Sequence, residues 1–139
     1  MSLLNDLSAT ATQRLADLES AVFGGPNPAG GNAKTVPVFY TGTADAIAYP
    51  GLAVLNGSAA DTGATLATPV SGVDDGKQLL IIDGSGQAHE VTTAANVLVA
   101  GAAGAYLHAL FNGDVGASIL LVAVSGKWVV VASTGITLS

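Results

Sequence analysis

From residue 36 onward, apolar residues arrive in short runs, each followed within three residues by Gly, Asn, Asp or Pro. The runs are 36–40 (VPVFY), 46–49 (AIAY), 52–55 (LAVL), 64–70 (ATLATPV), 77–82 (KQLLII), 106–111 (YLHALF), 119–124 (ILLVAV) and 128–132 (WVVVA). Such runs, rich in β-branched and aromatic residues and recurring about every ten residues, predict short strands in a sandwich or barrel. No helical period interrupts them, so no βαβ unit is expected. The expected class is mainly β: an antiparallel β-sandwich or barrel-like domain over 36–139, preceded by an N-terminal helix and a Gly/Pro-rich linker.

Residues 119–124 and 128–132 organise the rest. Only Ser125, Gly126 and Lys127 separate them, and a gap that short forces an antiparallel hairpin, because parallel strands need a crossover of a dozen or more residues. With a two-residue loop at Ser125-Gly126, one face carries Ile119, Leu121, Ala123, Trp128, Val130 and Ala132. The other carries Leu120, Val122, Val124, Lys127, Val129 and Val131. Both faces are apolar, as in a strand covered on both sides. Leaving one in water forgoes about 1.5–3 kcal/mol per large side chain. A second sheet is expected over one face and a neighbouring subunit over the other, which makes Leu120, Val122, Val129 and Val131 candidate interface residues. A second hairpin is expected where 77–82 and 87–92 flank the turn Asp83-Gly84-Ser85-Gly86.

Upstream the pattern changes. Leu4, Leu7, Ala11, Leu15, Leu18 and Val22 fall three or four residues apart, one stripe of a helix over 1–23. A lone helix of that length is marginal in water, so the stripe packs either on its own β domain or on copies of itself. The spacing repeats after eleven residues, which makes a self-associated bundle nearly straight or slightly right-handed. Residues 24–35, opening GGPNPAGG, have the composition of a linker.

Composition narrows the function. Charged residues are 10% and apolar residues 50% of the chain, against a usual charged share of about 25%. Partner subunits, or Gly, Ala, Ser and Thr, must therefore cover the surface. The longest apolar runs fall well short of the ~18 residues of a spanning helix, so no membrane partner is expected. The opening MSLLNDLSATATQRL has no basic stretch before an apolar core, and no secretory signal is expected. A net charge of −6 without a Lys/Arg cluster disfavours nucleic acid, whose phosphates need gathered positive charge. Cysteine is absent, which removes disulfides, thiolate metal sites and a Cys nucleophile together.

The remaining chemistry is sparse. His89 and His108 have no neighbouring His and read as strand or interface histidines, with no metal and no cofactor expected. Asp74-Asp75-Gly76 and Asp83-Gly84-Ser85-Gly86 lack the acid spacing and closing Glu of a calcium loop, and read as turns. There is no Gly-x-Ser-x-Gly elbow and no phosphate-binding Gly-Lys-Ser/Thr loop. An enzyme is not expected, and no catalytic residue is assigned.

Residues 64–139 resemble small tailed-bacteriophage head-decoration, or capsid cement, proteins. The resemblance is carried by ATLATPVSGVDDGKQLLII (64–82), AHEVT (88–92), FNGDVG (111–116), GKWVVV (126–131) and TGITLS (134–139). It departs at Val129, where Tyr commonly follows the Trp, and at Glu90, where Thr is expected. It implies a non-enzymatic virion structural protein on the outer surface of the phage head, a homotrimer whose partners are its own copies and the major capsid protein. The alternative is a head- or tail-fibre component whose β domain binds a receptor or glycan.

Overall fold

The structure, a computed structural model, describes residues 35–139. The expected helix and its stripe (Leu4, Leu7, Ala11, Leu15, Leu18, Val22) lie outside the described residues, as does the linker up to residue 34. Residues Val36–Ser139 form one compact unit. Its strands are β1 (Pro37–Tyr40), β2 (Ala46–Ile47), β3 (Gly51–Leu55), β4 (Ala64–Leu66), β5 (Gln78–Asp83), β6 (Glu90–Thr92), β7 (Leu98–Val99), β8 (Ala105–Tyr106), β9 (His108–Phe111), β10 (Ser118–Val124), β11 (Lys127–Thr134) and β12 (Ile136–Leu138). A short 3₁₀ turn, Gly101–Ala103, lies between β7 and β8. The fold is mainly β.

The strands form two sheets, ordered β1-β3-β5-β10-β11-β7-β8 and β12-β9-β6-β4-β2. Up to β6 the chain alternates between them: odd strands join the first sheet, even strands the second. Each therefore lies parallel to its neighbour in the same sheet, β1 to β3 to β5 and β2 to β4 to β6. The expectation of an antiparallel domain is corrected here, since both sheets are mixed. A parallel pair needs a long crossover, and each crossover is itself a strand of the opposite sheet. Run spacing reveals strands without revealing which sheet each one joins.

The expected hairpin of 77–82 with 87–92 is corrected for the same reason. β5 already has β3 on one side and β10 on the other, so it has no free edge, and β6 joins the second sheet. The turn is shaped by Asp83, whose Oδ1 accepts the N–H groups of Ser85 and Gly86, both at 2.8 Å.

The central hairpin forms as read. β10 and β11 are antiparallel, with Ala123 opposite Trp128 and Val124 opposite Lys127. Ser125 (φ 49°) and Gly126 (φ 76°) both occupy the left-handed region, the requirement of a two-residue type I′ loop. Ser125 tolerates it with its N–H donated to Asp75 Oδ1 at 2.7 Å. The register breaks between Leu120 and Leu121, where Leu121 faces Val130 but Leu120 faces Ala132. Val131 is the extra residue of a bulge, and Ala132 moves to the face opposite the one its spacing implied.

One core lies between the sheets. The first contributes Ala53, Leu55, Leu79, Ile81, Leu98, Ile119, Leu121, Ala123 and Trp128, and the second Ile47, Ala64, Leu66, Val91, Ala109 and Phe111. Trp128 is fully buried; its Nε1–H donates to Ala67 O at 2.9 Å, and Tyr49 meets it edge-on at 4.8 Å between ring centres.

Candidate interaction face

With one face of each sheet committed to the core, the two outer faces have opposite chemistry. Cross-strand partners share a face, so the register defines each surface row by row. On the first sheet one row runs Pro37, Leu52, Leu80, Leu120, Ala132. A second runs Phe39, Val54, Ile82, Ser118, Thr134, and a third Gln78, Val122, Val129, Val99, Ala105. Val124 and Lys127 close one end. Lys127 is the only charged side chain in these rows, and its Nζ is tied to Asn96 O at 2.6 Å.

The outer face of the second sheet is polar. Ala46, Thr65, Thr92 and His108 make one row, and Glu90, Leu110 and Thr137 the next. His108 Nδ1 lies 2.7 Å from Glu90 Oε1 and 3.1 Å from Thr92 Oγ1. A shallow groove of about 320 Å³ opens here, lined by Ala46, Ile47, Thr65, Leu66, Ala67, Thr92, Thr93 and Ala94. This face suits water; the first sheet's does not.

The interface residues expected in the β domain meet on the first sheet's outer face. Leu120, Val122 and Val129 sit in its rows and are half-buried by their neighbours. Val131 projects from the bulge at 57% exposure, and Phe39 at the sheet edge is 58% exposed. The expectation of cover on both faces is met on one face only within a single chain. Sequence reasoning missed that Pro37, Phe39, Leu52, Val54, Leu80 and Ile82 extend the same surface. The available signal was the apolar character of 52–55 and 77–82 at both odd and even positions.

The two turns rich in aspartate use their carboxylates internally. Asp74, buried, accepts from Val70 N–H (2.7 Å), Lys77 Nζ (2.8 Å) and Tyr49 O–H (3.1 Å). The Lys77 ammonium foremost, then the Val70 amide, hold its carboxyl below the usual range against the opposing effect of burial. Asp75 accepts from Gly72 N–H and Ser125 N–H.

The other concentration of chemistry is Asp83, Ser85 and His89. His89 is 1% exposed, and its Nε2 lies 2.8 Å from Ser85 Oγ and 3.5 Å from Asp83 Oδ1. Those residue types make a nucleophile–base–acid set when the imidazole accepts the serine proton. Here the order is reversed. Asp61 N–H donates to His89 Nδ1 at 2.9 Å, so the neutral ring carries its hydrogen on Nε2 and donates to Ser85, whose hydroxyl reaches Asp83 Oδ1 at 3.3 Å. The hydroxyl is held as a link in a buried network rather than activated for attack.

No family model matches the chain, and neither a curated protein nor a solved structure matches it.

Proposed function

We propose that this chain is a non-enzymatic structural protein of a tailed-phage virion, decorating and stabilising the outer surface of the capsid as a homotrimer. One observation carries the reading: the first sheet presents a nearly uncharged apolar face across most of its strands, while the second presents a polar one. An apolar face of that extent on a chain with so little charge favours association with further copies. The ordered motifs over residues 64–139 supply the virion class, and the net negative charge keeps the protein off packaged DNA. Contacts to the major capsid protein need not be individually strong, because many copies bridging adjacent capsomers add by multivalency.

The test has two parts. The purified protein is expected at three times its 13.6 kDa chain mass. Added to expanded heads that lack it, it is expected to bind and raise their rupture temperature. Heads that neither bind it nor change in rupture temperature overturn the reading.

The groove on the second sheet favours a second reading, a head- or tail-fibre component that binds a receptor or glycan. Threonine hydroxyls with the Glu90–His108 pair beside them offer donors and acceptors to a polyhydroxylated ligand. Binding of the isolated protein to host-cell polysaccharide without capsid selects that reading.

A further inference from the structure

β1 is the outermost strand of the first sheet, with β3 on one side and no strand on the other among the described residues. Edge strands are usually blunted by extreme shortness or by charged side chains. The edges β2 and β8 are two residues long. β1 has four residues, lies in a stretch with no charged residue from Val36 to Ala44, and exposes apolar side chains on both faces. Phe39, 58% exposed, stands on the outer face in line with Val54, and Val38, 48% exposed, on the core-side face in line with Ala53.

The direction of each backbone group on this edge follows from one hydrogen bond. Tyr40 O accepts Asn56 N–H at 2.8 Å and so points towards the β3 side. The peptide unit is planar and trans, so the Thr41 N–H points away from β3. Alternation along the strand then turns the backbone groups of Val38 and Tyr40 towards β3, and those of Phe39 and the Pro37 carbonyl outward. Pro37 has no N–H to offer. Thr41 O turns back into the domain, 3.1 Å from where a Cβ on Gly57 would sit. In chain order the edge presents an acceptor at Pro37, a donor and an acceptor at Phe39, and a donor at Thr41.

That order is complementary to itself. Two antiparallel copies of β1 related by a two-fold axis at Phe39 exchange both Phe39 N–H···O bonds, and each Thr41 N–H meets Pro37 O of the other copy. The missing Pro37 N–H then falls opposite Thr41 O, which is turned elsewhere. A shift that sets Phe39 against Pro37 leaves the Phe39 carbonyl without a donor. The two-fold register also puts the Phe39 rings side by side on the outer face and Val38 against Tyr40 of the other copy on the core-side face, both favourable cross-strand pairs.

We propose that β1 is a strand-pairing edge whose partner is β1 of a second copy, joined antiparallel about Phe39. The contact is isologous, so it cannot close a trimer; it links one molecule or assembly to the next, and it does not rest on how the outer face is covered.

The chain has no cysteine, so a single introduced one reports its own neighbour. In the full chain under oxidised glutathione, Phe39→Cys is expected to form a covalent pair, since directly opposed hydrogen-bonded residues have Cα atoms about 5.5 Å apart, within disulfide reach. Val38→Cys and Tyr40→Cys, each beyond the ~7 Å limit from its own counterpart, are expected to stay monomeric thiols, as is Thr137→Cys on the edge strand β12. In the unmodified protein, the Phe39 and Thr41 amides are expected to gain protection from hydrogen exchange as concentration rises, while the Tyr40 amide, held by β3, is protected throughout. Val122→Asp, directed at the outer face, is expected to leave the Phe39→Cys crosslink in place; its loss there makes the contact part of the outer-face assembly and overturns the proposal. The proposal is also overturned if Phe39→Cys crosslinks no more than Thr137→Cys, if Val38→Cys or Tyr40→Cys crosslinks equally, or if the Phe39 and Thr41 amides exchange at one rate at every concentration, the result of an edge left open or covered by the same chain.

Discussion

Val122→Asp separates the two states of the first sheet's outer face, alone in water or covered by another copy. Val122 stands between Gln78 and Val129 in register and is half-buried in the single chain. Full burial of a valine is worth about 1.5 kcal/mol, of which most is already realised in the monomer and only about 0.5 kcal/mol or less is left for a partner to add. In an isolated chain the aspartate keeps its water, and the cost is the burial already realised plus a strand-propensity penalty, together about 1.5–2 kcal/mol. In the assembly the carboxylate must be desolvated or protonated, adding about 2–3 kcal/mol to the lost burial. The expected weakening is thus about 3 kcal/mol per contact, or roughly 150-fold in dissociation constant. Light scattering over a dilution series measures association, and denaturant unfolding below the dissociation point measures the fold. Thr137→Asp, the same charge on the second sheet's outer face, is the control and is expected to leave association unchanged. Val122→Asp associating like the wild type, or Thr137→Asp weakening association equally, refutes the assignment of faces.

Three further outcomes follow from named contacts. Trp128→Phe keeps most of the buried ring but deprives Ala67 O of its donor, and is expected to cost about 1–3 kcal/mol in denaturant unfolding; Trp128→Ala adds the cavity and is expected to cost about 3–5 kcal/mol or more. Asp74→Asn is expected to destabilise at neutral pH, because a carboxyl whose folded value is depressed contributes above its unfolded value and loses that contribution as pH falls through the folded one. The gap between wild type and variant therefore closes in strong acid, and unfolding curves at neutral and acid pH check it. Gly126→Val places a β-branched residue at φ 76° and is expected to lower stability by about 1–2 kcal/mol, whereas Gly126→Asn is expected to be milder.

What the sequence revealed depended on how local the determining contact is. The β10–β11 hairpin was legible because its loop admits one geometry and Trp128, Ala123 and Leu121 fall at alternate positions. Legibility stopped at Val131, since a run of three valines contains no mark of a bulge. The parallel pairing of β1, β3 and β5 was hidden because their partners lie a whole strand of the other sheet apart. His89 and His108 read alike in sequence, but one is fully buried against Asp61 and Ser85 while the other pairs with Glu90 at the surface. Only strand pairing distinguishes them.

The central claim, that copies of the chain cover the outer face of the first sheet, is tested most directly by the reach of a soluble paramagnetic probe. In the wild-type protein at micromolar concentration, the methyl signals of Leu120, Val122 and Val129 are predicted to stay sharp while those of Thr65 and Thr137 broaden. Equal broadening on both outer faces contradicts the account.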